Sequence, residues 1–247
     1  MQRFKAHLIY WILPSVVILA CIVFYFYDIF HWSVYIAPEF NREFGVVENL
    51  QLLIIILMAA TALKGVRLRI HQVEKNAFKI IFILSVTLFL EEIDYGIHYY
   101  EYFSGKSIQG VTGELVPGEK NIRNIHNNWK ITNILKLVAY ALIAIFFVLF
   151  PLIPKNKLQK YPVFNYLVPS KYIITTAIST LILNQIALHL YQTMQLANQS
   201  LRGNVSEFEE IMIYYIGFLY LREMVHKPTN ITIGGMRKKQ IFNFFKT

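Results

Sequence analysis

Long apolar runs alternate with short polar stretches along this chain, and the runs set its architecture. Six stand out: Leu8–Phe30, Val46–Leu63, Phe78–His98, Thr132–Ile153, Tyr172–Thr193 and Phe208–Leu221. Each is near the roughly 20 residues that cross a hydrocarbon core, the last being the shortest. The pattern predicts an all-α integral membrane bundle of about six transmembrane helices over residues 1–225. A basic and aromatic tail, residues 226–247, follows. Two connections are long: His31–Gly45, rich in aromatics, and Tyr99–Ile131, whose five Gly and Pro residues predict an irregular loop of the kind that often forms a lid.

Composition agrees. Of 247 residues, 55% are hydrophobic and only 16% charged, less charge than a soluble domain carries. Lys and Arg gather before the first run, over Lys64–Lys79, over Lys155–Lys171 and from Arg222 onward: 17 of the 24. Six fall in the opposite loops, and Lys136 lies inside the fourth run. By the positive-inside rule both termini are then cytoplasmic. The net charge of +9 is therefore explained by topology and needs no nucleic-acid partner. Thirteen of the 15 acids lie on the other side, an asymmetry that topology does not require. Cys21 is the lone cysteine, which excludes an intrachain disulfide and a cysteine-based metal site.

The chemistry gathers at the outer ends of the runs. Glu91, Asp94 and His98 are spaced i, i+3, i+7 and share one helical face, with Glu92 about 100° away. Glu48 opens the second run, His126 precedes the fourth and Lys136 sits in its second turn. Gln185, His189 and Gln192 recur at helical spacing in the fifth. Glu207, Glu210 and Tyr214 do so in the sixth, with Glu209 read as a helix-start residue and Glu210 as the inward group. Ionisable groups in a membrane span are costly and usually serve a pathway, a metal or a reaction. Three readings compete. In a metal site, Glu48, Glu91, His98, His126, His189 and Glu210 are the candidate ligands for a divalent Zn, Fe or Mn ion. In a metal-free acid/base site, Glu91, Glu92, Asp94 and His126 are the candidate catalytic groups. Glu43, Asn124, Asn127 and Lys136 are candidates for substrate binding in either. In the third reading the polar groups are structural and bond between helices, with Lys136 paired to a glutamate.

Three segments carry a resemblance. Arg42-Glu43-Phe44-Gly45-Val46-Val47-Glu48 resembles an R-E-x-G-x-V-E opening of the second span. Glu91 through His98 resembles E-E-I-S-W-G-Q, and Asn124, His126 and Asn127 match an N-x-H-N segment. Together they resemble an uncharacterised family of bacterial multi-pass membrane proteins, over Arg42 to about Asn127. The resemblance implies a bacterial cytoplasmic membrane and supports treating Glu43, Glu48, Glu91, Glu92, Gly96, Asn124, His126 and Asn127 as one unit. It implies no reaction. Asp94 stands here for serine, Tyr95 for tryptophan and Ile97 for glutamine. The added charge of Asp94 favours a cation.

These features predict a membrane-embedded enzyme, a metal-dependent hydrolase or transferase working on a lipid or lipid-linked substrate at the extracytoplasmic face. The alternative is a non-enzymatic membrane protein: an ion- or proton-coupled transporter, or an accessory subunit with envelope protein partners. A transporter carries its polar groups nearer mid-membrane.

Overall fold

A computed structural model describes residues 2–37, 45–93, 96, 103–104, 141, 144–154, 166–194, 205 and 207–227. Among them the regular structure is all helical, and five helices are long. Helix α1 runs from Gln2–His7 through a π-helical turn, Leu8–Ile12, into Leu13–Phe26. The others are α2 (Val46–Leu68), α3 (Gln72–Glu92), α4 (Lys171–Met194) and α5 (Glu207–His226).

Three stretches, Phe4–Phe26, Val46–Leu68 and Lys171–Met194, are long and apolar enough to cross a membrane, where the sequence predicts six. The difference lies in charge. Helix α3 carries Glu74, Lys75, Lys79, Glu91 and Glu92, and α5 carries Glu207, Glu209, Glu210, Arg222 and Glu223. The expected fourth span falls mostly outside the described residues, which hold only its end, Ala144–Leu149 and Phe150–Leu152. The tail beyond residue 227, and the long connection except Phe103 and Ser104, also lie outside them.

Several boundaries move. The first span ends at Phe26 rather than Phe30, because Asp28, Phe30 and His31 all have positive φ. The Asp28 carboxylate holds this turn, accepting from Ser33 Oγ at 2.5 Å and lying 3.0 Å from His31 Nδ1. Helix α3 stops at Glu92, six residues before the predicted end. Four residues past it Gly96 adopts φ +81°, a left-handed conformation that suits glycine. In contrast, α5 runs five residues past Leu221.

The helices pack in the order α1, α4, α5, α2, α3. Helices α2 and α3 form an antiparallel hairpin through the short Arg69–His71 turn. Gly65 permits it: a Cβ there would lie 2.5 Å from the ring of Phe78, which is itself buried. Helices α2 and α5 run parallel, since Gln51 meets Glu207 near one end and Arg69 meets the Met224 carbonyl near the other. The main core, around Ile18, Ile22, Phe208 and Met212, joins α1, α2, α4 and α5 and includes Cys21. Many large apolar side chains remain exposed, Val16, Ile83, Leu84 and Leu181 among them, as in a bundle solvated by lipid.

Pro14 interrupts the first span from within. It has no N–H for the carbonyls one turn back, Tyr10 in an α register and Ile9 in a π register. Neighbouring helices supply the donors: Thr176 Oγ1 to Tyr10 O at 2.8 Å, and the Tyr215 hydroxyl to Ile9 O at 2.6 Å. In a span without water, such side-chain donors are what make an interior proline tolerable.

The Arg69 end of the bundle is tied by a second polar cluster. Glu223 accepts from the Tyr10 hydroxyl at 2.6 Å, from Ser170 Oγ at 2.5 Å and from Ser170 N–H at 2.9 Å. Lys227 Nζ donates to the carbonyls of Tyr166 (3.0 Å) and Val168, and the Tyr220 hydroxyl to that of Leu167 (3.0 Å). Arg69 is buried, donates to Met224 O, lies 3.7 Å from Glu74 Oε2 and stacks 5.8 Å over the Tyr166 ring. Burial pushes the Tyr166 hydroxyl up to about 12 and the Lys227 amine down, with Glu223 opposing the latter.

Candidate functional site

The acids predicted to work together stand at the other end, where α2 and α5 begin and α3 stops. Glu48 opens α2; Glu207, Glu209 and Glu210 form the first turn of α5. Carboxylates at helix N-termini face the positive end of the macrodipole and are stabilised there. Glu91 and Glu92 are different: they close α3, where the partial charge is negative. Two acids at a helix C-terminus need a local partner. Glu92 has one in Tyr214, whose hydroxyl donates to Oε1 at 2.8 Å.

The second link is Gln51, one turn beyond Glu48 on the same side of α2. It is fully buried, and its Nε2 donates to Glu207 Oε2 at 2.9 Å and, more weakly, to the Glu207 carbonyl at 3.3 Å. Glu48 is 8% exposed and Glu209 6%, unusual for carboxylates, and both are engaged with neighbours, as are Glu91 and Glu210. Three helices thus bring acids, one amide and one phenol to one end of the bundle.

Beside them a groove of about 430 Å³ opens between α2 and α3. Its walls are Leu52, Leu53, Ile56, Phe89 and Ile93, with Asn49 as the polar member. The Asn49 amide donates to Gly45 O at 2.8 Å.

The predicted residues divide as follows. Glu48, Glu91, Glu92 and Glu210 lie on the three helices that meet at this end. His189 is on α4, on an exposed face shared with Gln185 and Gln192. Of the stripe Glu91, Asp94 and His98, Glu91 is the member among the described residues, in the last turn of α3. Glu43, Asp94, His98, Asn124, His126, Asn127 and Lys136 lie outside the described residues. Among the described residues no three His, Cys, Asp or Glu side chains are grouped to hold a metal.

One expectation reverses. Glu209 is a first-turn acid as read, but it is buried, whereas Glu210, read as the inward group, is half-buried. Glu92, a candidate catalytic group about 100° from Glu91 on α3, makes the bond to α5. Gln51 was missed by sequence reasoning. Its signal was present: a lone amide inside the apolar run Leu50–Leu57, three residues after Glu48. No family model, curated protein or solved structure matches this chain.

Proposed function

We propose that this chain is an enzyme of the cell membrane that acts on a lipid or lipid-linked substrate at the extracytoplasmic face, as a hydrolase or transferase. One observation carries the reading. The apolar groove between α2 and α3 runs up to the helix ends that bear Glu48, Glu91 and Glu92. An acyl or prenyl chain matches walls of Leu, Ile and Phe, and its headgroup then lies beside carboxylates that can move protons. With His98 and His126 as further ligands, a Zn, Fe or Mn ion would activate water for hydrolysis. In this reading the bundle has six spans, and the Lys and Arg distribution sets both termini in the cytoplasm. The resemblance to bacterial multi-pass proteins agrees with a bacterial cytoplasmic membrane.

The test is turnover of a total lipid extract by the full chain in nanodiscs, read by mass spectrometry and paired with metal analysis. A released headgroup or transferred chain, lost in Glu92→Gln and Glu48→Gln, supports the enzyme. Intact lipids with wild-type protein, with and without Zn, Fe or Mn, would defeat it. Reporter fusions after Lys155 and after Thr247 should both read as cytoplasmic.

A second reading has its own observation: Glu92 and Glu207 are each used in a bond between helices. That suits an accessory subunit of an envelope complex, in which the acids hold the bundle together. Tyr214→Phe and Glu92→Gln would then lower thermal stability alike, with no lipid turnover to lose.

A further inference from the structure

Gln51 uses only one end of its amide. Nε2 lies against Glu207, while Oε1 is buried with no donor within hydrogen-bond reach among the described residues. A buried acceptor left unmet is costly, so it points to something that brings positive charge or a proton to that spot. The surroundings are oxygen-rich. Glu207 Oε2 is 2.9 Å from the same amide, and buried Glu48 is on the preceding turn of α2.

We propose that Gln51 Oε1, the Glu207 carboxylate and the Glu48 carboxylate form a binding site for one calcium ion. Calcium takes carboxylates and amide carbonyls in irregular sets and completes its shell with water. Magnesium demands near-octahedral geometry, which two helix turns and a neighbouring helix end do not offer. The absence of nitrogen and sulfur ligands from this trio disfavours zinc or iron. Two carboxylates balance the charge of the ion, and the bound ion cross-links α2 to α5. The site uses oxygen ligands only, so it does not depend on lipid chemistry or on a transition metal held by His98 and His126.

The experiment uses the full chain, stripped with chelator, in zwitterionic nanodiscs, with lipid-only discs subtracted. Calcium should bind at one ion per chain and raise the melting temperature, with magnesium doing less at equal concentration. Gln51→Leu should weaken binding at least about tenfold, the loss of a ligand plus an oriented neighbour. Gln51→Glu covers the case in which the leucine variant fails to fold. It should be less stable than wild type in chelator and gain more from calcium, because the added charge repels Glu207 until an ion arrives. No calcium binding by the wild-type chain overturns the proposal, as does unchanged binding by Gln51→Leu. So does a Gln51→Glu chain whose stability follows pH and ignores calcium. That result would mean the acceptor meets a water or a protonated Glu207.

Discussion

Thr176 Oγ1 donates a 2.8 Å hydrogen bond to the carbonyl of Tyr10, the residue four places before Pro14. The proline leaves that carbonyl without an α-helical donor, and a fully buried threonine on another helix replaces it. Thr176→Val should therefore cost about 1–3 kcal/mol, the penalty of an unmet buried acceptor. Pro14→Ala restores a backbone N–H. On that background Thr176→Val should cost less, and a double-mutant cycle of unfolding in detergent measures the difference. Strict additivity would mean that the two residues do not act on one carbonyl.

Gly65 and Phe78 set the closest approach of α2 and α3. Gly65→Val forces a side chain into a buried ring and should destabilise the hairpin by about 1–3 kcal/mol, as overpacking does. The groove between the same helices should widen with it. A Gly65→Val chain that melts with wild type would show that Phe78 can turn aside.

Arg69 joins α2 to the last turns of α5 and lies 3.7 Å from Glu74. Arg69→Met leaves a largely buried carboxylate without its cation, a change that costs about 3–5 kcal/mol in other buried pairs. Adding Glu74→Leu should recover part of that loss. Recovery fails if the Met224 carbonyl, rather than the ion pair, is what Arg69 stabilises.

Burial raises the Glu74 carboxyl above its ordinary range, with Arg69 and His71 pulling the other way. A carboxyl raised in the folded state binds its proton more tightly than in the unfolded chain. Its contribution is full below the unfolded value and is lost as pH rises through the folded one. Wild-type stability relative to Glu74→Gln should thus fall from acid toward neutral pH and then level off. A difference that rises with pH would mean that the Arg69 attraction outweighs desolvation.

Tyr214→Phe removes the donor to Glu92 at the C-terminal end of α3. Stability should drop by about 1.5–3 kcal/mol, the range for bonds to charged groups. Under the enzyme reading lipid turnover falls as well, because the hydroxyl no longer holds the Glu92 carboxylate in place. Loss of stability with no change in turnover would assign the pair a structural role.

The apolar runs by themselves determined the helical class and the position of the three helices long enough to cross a membrane. Desolvation acts residue by residue, so composition over 20 positions reports it. The crowding of acids at one end was legible for the same reason. Helix ends were not. Gly96 with its positive φ and the left-handed Asp28 turn are conformational facts that leave no mark on hydropathy. Which acid faces which helix was decided by packing alone. Sequence spacing orients residues within one helix and is silent on how two helices are rotated against each other. Hence Glu92 reaches Tyr214, and Glu209 is buried where Glu210 is half-buried. Pro14, Thr176 and Tyr215 make the same point. The proline announces a missing hydrogen bond, but only the tertiary structure says who supplies it, since the donors come from residues more than 160 positions away.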